Sequence, residues 1–129
     1  MSTRSITVVK DENGRKIIEM YRQMDGYPTG MGQDLKSFIN SGKMVNGISR
    51  DEDYKQFNGI ECFTAQLIAD QKDGSGGIYL YAPKTDFKSK KRYSEVYGAE
   101  YYYEIDVELN LRCWDTYSGE EIDLTEELT

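Results

Sequence analysis

Tyr101-Tyr102-Tyr103-Glu104-Ile105-Asp106-Val107-Glu108-Leu109-Asn110-Leu111-Arg112-Cys113-Trp114 is the most regular stretch of the chain. Tyr101, Tyr103, Ile105, Val107, Leu109, Leu111 and Cys113 alternate with a mostly polar or charged set, and period two over that length means β-structure with one buried face. The 14 residues, at roughly 3.3 Å each, would reach about 46 Å. That is longer than a domain of this size spans, so a bend or bulge is expected near Asn110.

Working back toward the N-terminus, Ile78-Tyr79-Leu80-Tyr81-Ala82 reads as a strand stopped by Pro83. Between the two lie Lys84, Lys88, Lys90, Lys91 and Arg92 against Asp86 and Glu95, which read as a mobile basic loop over 84–98. Ile60, Phe63, Leu67 and Ile68 fall at i, i+3, i+7, i+8, so residues 60–71 are expected to form an amphipathic helix, with 51–58 a helical turn or polar lead-in. Leu35, Phe38 and Ile39 mark an earlier helix that stops by Gly42. Two β-branched runs around Ile6–Val9 and Lys16–Arg22 flank Asn13-Gly14, a strong local hairpin signal. The resulting order, ββααβββ, predicts an α+β domain: an antiparallel sheet of about five strands with two helices on one face. Residues 1–118 read as one domain and 119–129 as a frayed or surface-lying acidic tail.

Length and charge narrow the function. At 129 residues the chain holds about one domain, so one site or one interface carries its role. It has no histidine, which removes Ser-His-Asp and Cys-His catalysis and imidazole-based zinc sites. Lys plus Arg is 16 against 23 Asp plus Glu, and six of those acids lie beyond Trp114 with no base among them. The acidic total argues against nonspecific DNA binding, because phosphates demand a basic surface. Cys62 and Cys113 lie far apart and form no CxxC pair, so both are expected as reduced thiols in a cytoplasmic protein. The polar start, MSTRSITVV, is unlike a secretion signal, and no apolar run is long enough to span a membrane.

Five groups could carry chemistry. Tyr21-Arg22-Gln23-Met24-Asp25-Gly26-Tyr27-Pro28, followed by Gly30 and Gly32, could present bare backbone N–H groups to an anion at a helix N-terminus, with Arg22 as a bidentate phosphate donor. The plainer reading is a turn whose glycines and Pro28 shape the bend. Glu104, Asp106 and Glu108 could hold Mg²⁺ or run acid/base chemistry, or could simply be solvated. Arg112 and Trp114 suggest an interface anchor or a base-stacking platform, or ordinary packing of Arg112 over a half-buried ring. Lys88 through Arg92 offer a local positive patch for an anion, or are simply solvated, as most charge runs are. Tyr79 and Tyr81, on one face of their strand, could stack on purine rings or pair across the sheet with Tyr101 to Tyr103.

Thr3-Arg4-Ser5 opening the first strand, the Tyr21-Arg22-x-x-Asp25-Gly26-Tyr27-Pro28 turn and Gly77-Ile78-Tyr79-Leu80-Tyr81 together resemble a family of small phage and prophage proteins, most closely the first-described Thoeris anti-defence sponges. The resemblance covers most of residues 1–114. It implies a non-enzymatic protein, phage or prophage encoded and acting in the bacterial cytoplasm, that captures glycocyclic ADP-ribose signals made by TIR-domain enzymes. It further implies a homo-oligomer, a dimer or a hexamer built of dimers, holding the signal at subunit interfaces. Some members also hold the cyclic di- or trinucleotides of a second alarm system, CBASS. Carried over by motif position, the ligand-binding residues would be Arg4, Arg22, Asp25, Gly26 and Tyr27, with Arg112 as a weaker member.

The residues themselves are compatible with that role. A cyclic ADP-ribose isomer presents a pyrophosphate and a purine, so its site needs cationic or N–H donors and an aromatic plate. Tyr79, Tyr81, Trp114 and Arg92 join the candidate set on those grounds, with no cofactor and no metal expected. Two other classes stay open: a metal-dependent phosphodiesterase built on Glu104, Asp106 and Glu108, and a protein-binding inhibitor that uses the acidic tail.

Overall fold

A computed structural model describes residues 2–83 and 87–128. Lys84 and Asp86 of the basic segment therefore lie outside the described residues. The strands are β1 (Ser5–Lys10), β2 (Lys16–Arg22), β3 (Gly42–Val45), β4 (Lys55–Asn58), β5 (Ile78–Tyr81), β6 (Tyr101–Ile105), β7 (Leu111–Asp115) and β8 (Glu121–Ile122). The helices are α1 (Gln33–Asn40), α2 (Ile60–Gln71), α3 (Lys91–Tyr97) and α4 (Leu124–Glu127), and a single π turn, Pro28–Gly32, runs straight into α1.

The α+β class holds, and the sheet is larger and less uniform than the predicted five antiparallel strands. Six strands form one sheet in the order β5-β2-β1-β6-β7-β8, while β3 and β4 form a separate parallel pair. The main sheet is antiparallel except at its centre, where β1 runs parallel to β6 from Ser5↔Tyr101 to Val9↔Ile105. Adjacent hairpins predict antiparallel neighbours. The β1–β6 pairing joins segments some ninety residues apart, a contact with no local signature.

The alternating stretch breaks where its length demanded. Asp106 accepts from the N–H groups of Glu108 and Asn110, and Leu109 takes a positive φ of 63°, so the chain folds into a β6–β7 hairpin. All seven odd-position residues pack in or against one core with Leu35 and Phe38 of α1 and Ile60, Phe63 and Leu67 of α2. The first hairpin turns as expected, with Asp11 accepting from the N–H groups of Asn13 and Arg15 and Gly14 at φ 76°.

Three segments differ from their sequence reading. Residues 55–58, expected as a helical lead-in, are strand β4, which places Phe57 edge-on to Phe63 in the core. The basic segment, expected as a loop, forms α3 and covers the opposite face of the sheet, so the sheet is sandwiched between helices. Tyr93 of α3 is fully buried there with Ile6, Val8 and Tyr102. The acidic tail does not simply fray: β8 pairs with β7, and Ile122 and Leu124 pack against the core.

Candidate functional site

The Asp25-Gly26-Tyr27-Pro28 turn docks against the chain leading into β1, and four N–H groups of this segment are bonded internally. Gly26 N–H donates to the Thr3 carbonyl, Gly30 N–H to Tyr27 and Met31 N–H to Asp25, while the Gln33 N–H is shared between the Gly30 and Pro28 carbonyls. Tyr103, fully buried, donates its hydroxyl to the Gly26 carbonyl at 2.7 Å. A Cβ on Gly26 would lie 2.8 Å from Ser5 Cβ, which explains a glycine on one side of this contact and a small serine on the other. That serine hydroxyl, like the Thr7 hydroxyl beside it in β1, is buried without a partner. These bonds match the plainer reading of a shaped turn and take the Gly26, Gly30, Met31 and Gln33 N–H groups from any backbone anion cradle. Tyr27 points outward and donates to Asp25, which raises its own pKa.

Of the four candidate arginines, three are already paired. Arg22 reaches Asp34 at 2.7 Å and donates to the Met24 carbonyl. Arg92 reaches Glu95 at 2.7 Å, and Arg112 forms a two-pronged contact with Glu121 at 2.9 and 2.7 Å. The Arg112 contact lowers the pKa of Glu121 and raises that of Arg112. Arg4 is exposed and has no acid partner among the described residues. It lies against Gly98, the left-handed residue that ends α3, where an added Cβ would meet its guanidinium at 3.0 Å.

A cleft of about 450 Å³ places Arg22 and Asp25 among Asp34, Asp70 and Asp73. Four carboxylates around one neutralised arginine repel phosphate, so the lining of this cleft is poorly matched to the anion expected at Arg22. The second carboxylate set also disperses. Glu104 is 3.4 Å from Lys10 and accepts from Tyr102, whereas Asp106 is spent on the hairpin turn. Among the described residues no three carboxylate or cysteine groups gather in a way that could hold a metal ion.

What the structure does bring together are the two aromatic candidates, at opposite ends of one belt. Tyr79 and Tyr81 of β5 flank Tyr21 of β2, with centroids 6.1 and 5.8 Å away. Tyr81 stacks on Tyr97 of α3 at 5.3 Å, Tyr97 lies parallel to Tyr93 at 6.3 Å, Tyr93 meets Tyr102 at 4.5 Å, and Tyr102 meets Trp114 edge-on at 5.5 Å. The alternative pairing of Tyr79 and Tyr81 with Tyr101 to Tyr103 does not occur, because β2 and β1 stand between β5 and β6.

The two ends of the belt differ. Trp114 is half-buried and has Arg112 at 4.6 Å and Lys90 at 4.9 Å over its ring. Its face is already occupied by cations. Tyr79 and Tyr81 are 45% and 40% exposed and offer the open aromatic surface. The register Ile6↔Tyr21 and Tyr21↔Tyr79 sets these residues in one row, with Arg4 two positions ahead of Ile6 on the same face. Lys72, its ammonium bonded to the Gly76 and Ile78 carbonyls, lies over the Tyr79 ring at 5.4 Å, and Tyr81 has one face on Tyr97.

Beneath the belt lies a buried polar network that holds Tyr97 in place. Glu19, fully buried, accepts from Tyr97 and from Lys16 at 2.7 Å each, and Lys16 also donates to the Tyr93 hydroxyl at 2.8 Å. Burial and the Glu19 carboxylate push the Tyr97 pKa up, so its hydroxyl stays a donor. This network escaped the sequence reading, although Tyr93, Val96 and Tyr97 fall at i, i+3, i+4 and could have signalled a helix.

The cysteines are both free. Burial pushes the Cys113 thiol up to about 12, leaving almost no thiolate at neutral pH. Iodoacetamide at pH 8 is therefore expected to add one group, at the half-buried Cys62, to the native protein and two in denaturant, read by intact mass. No helix among the described residues is long and apolar enough to cross a membrane. Compared with protein-family models, with curated proteins and with solved structures, the chain gives no significant match to any of the three.

Proposed function

We propose that the protein is a non-enzymatic sponge that binds a cyclic ADP-ribose isomer, or a related cyclic nucleotide, and holds it without turnover, silencing Thoeris-type antiviral signalling. The observation that carries this reading is the open Tyr79–Tyr21–Tyr81 surface on the same sheet face as Arg4, which lies two positions ahead of the Ile6–Tyr21–Tyr79 row and has no acid partner among the described residues. Rings stacked on a purine contribute roughly 1–3 kcal/mol per base, and an exposed guanidinium is the donor best matched to a pyrophosphate. The phosphate role moves from Arg22, bound to Asp34, to Arg4. The likeness of the Thr3-Arg4-Ser5 and Gly77–Tyr81 segments to the sponge family supports the same two regions. Oligomerisation belongs to the reading as well, with the signal held where copies meet.

The test is to incubate purified protein with a cyclic ADP-ribose isomer, remove free ligand, heat-denature the complex and identify what is released. Intact cyclic ligand in near-stoichiometric amount is expected. Linear product would make the protein a phosphodiesterase, and no released nucleotide would remove this ligand class.

A further inference from the structure

We infer that β5 is a self-pairing edge, through which two copies of this chain join their six-stranded sheets into one. The main sheet ends in β5 on one side and β8 on the other. Sheet edges are normally protected by shortness, charge or proline. The β8 edge follows that rule, being two residues long and flanked by Glu120, Glu121 and Asp123. The β5 edge is four residues long and is guarded at its ends, by Pro83 just beyond it and by the Lys72 ammonium, rather than along its length. Residues 74–83, Gly-Ser-Gly-Gly-Ile-Tyr-Leu-Tyr-Ala-Pro, carry no charge in a chain that is 30% charged. Moreover, β5 exposes large side chains on both faces: Tyr79 and Tyr81 on one, and Leu80, 50% exposed, on the other.

Backbone geometry indicates where pairing centres. Gln23 N–H donates to the Gly77 carbonyl, so in the antiparallel β2–β5 ladder the bonded pairs are Gln23/Gly77, Tyr21/Tyr79 and Glu19/Tyr81. By alternation, the N–H and C=O of Ile78 and Leu80 point away from the sheet. The Ile78 carbonyl is covered by the exposed Lys72 ammonium at 2.8 Å, and the Ile78 N–H donates to the Gly76 carbonyl at 2.8 Å, so Ile78 has neither group free for a second strand. Among the described residues nothing bonds the outward N–H and C=O of Leu80, at the middle of the edge.

A second copy is the occupant that suits this strand. A two-fold axis at Leu80 sets Leu80 against Leu80, Tyr79 against Tyr81 and Ile78 against Ala82 of the second copy. Each pairing is apolar or aromatic, and none sets like charges opposite each other, which is the condition a self-complementary edge has to meet. Opposed residues in such a pair have Cβ atoms about 4.5–5.5 Å apart, so the two exposed tyrosine rows would merge into one surface across the axis. The pairing locates the oligomer contact of the proposed function but needs no nucleotide.

Leu80→Glu and Leu80→Lys, both at a half-exposed position, place two like charges face to face on the axis. Native mass measured without nucleotide is expected to give twice the 14.9 kDa chain mass for the wild type and the single-chain mass for each variant alone. An equimolar mixture of the two variants should regain the doubled mass, which also shows that both are folded. A monomeric wild type, a dimer that persists in either variant alone, or a mixture that stays monomeric overturns the pairing. Because ligand capture is measured separately, a failed pairing leaves the nucleotide-binding reading standing, and the reverse holds as well.

Discussion

Gly30→Ala is expected to destabilise the protein by about 3 kcal/mol, at the upper end of what overpacking costs. The methyl group would overlap the Asp25 carbonyl oxygen, which its Cβ would approach to 2.3 Å, and press on Tyr27 Cε2 at 3.1 Å. The obstacle is backbone, so no side-chain rotation relieves it. The Asp25 carbonyl is also the acceptor for Met31 N–H at 2.8 Å, and opening the turn loses that bond. The loss extends to the core, because the same turn supplies the carbonyl that satisfies the buried Tyr103 hydroxyl. A buried hydroxyl left without its partner costs a further ~1–3 kcal/mol. Urea denaturation measures the difference. The neighbouring exposed Thr29→Ala, expected within about 0.5 kcal/mol of wild type, separates turn sterics from a general effect of alanine. Equal stability of the two variants would refute this account of the turn.

The same turn illustrates what local sequence conveys. Its glycines and proline announce a tight bend, and the bend is there. Whether the Gly26 N–H is free for an anion depends on the Thr3 carbonyl, placed by tertiary packing, which no spacing within 21–32 encodes. The period-two run behaved alike. Its buried set was legible because alternation is a local property, and its break was legible because a straight strand of that length does not fit. That β6 would lie parallel to β1 depends on a pairing across most of the chain. In the basic segment, charge obscured a helical stripe of Tyr93, Val96 and Tyr97. At the site, sequence identified Tyr79, Tyr81 and Trp114 as aromatic candidates, but not the rings between them. Nor does it separate four arginines of identical chemistry: only the structure pairs Arg22, Arg92 and Arg112 with acids three to twelve residues away.

That sorting sets the second large expectation. Arg4→Glu should weaken capture of a cyclic ADP-ribose isomer by at least about 100-fold in calorimetry, while the melting temperature stays within a few degrees of wild type. A charge-assisted hydrogen bond contributes roughly 1.5–3 kcal/mol, or about 10- to 100-fold, and reversing the charge adds repulsion of the pyrophosphate. Stability should hold, because the Arg4 side chain is exposed, makes no ion pair among the described residues and joins the sheet through its backbone carbonyl, which accepts from Glu100 N–H. Arg22→Ala should do the opposite. It removes the Asp34 ion pair and the bond to the Met24 carbonyl, lowering stability while leaving affinity within about threefold, since a guanidinium neutralised among four aspartates has little attraction left for an anion. If Arg22→Ala abolished binding and Arg4→Glu did not, the acidic cleft would be the ligand site and the tyrosine row would not.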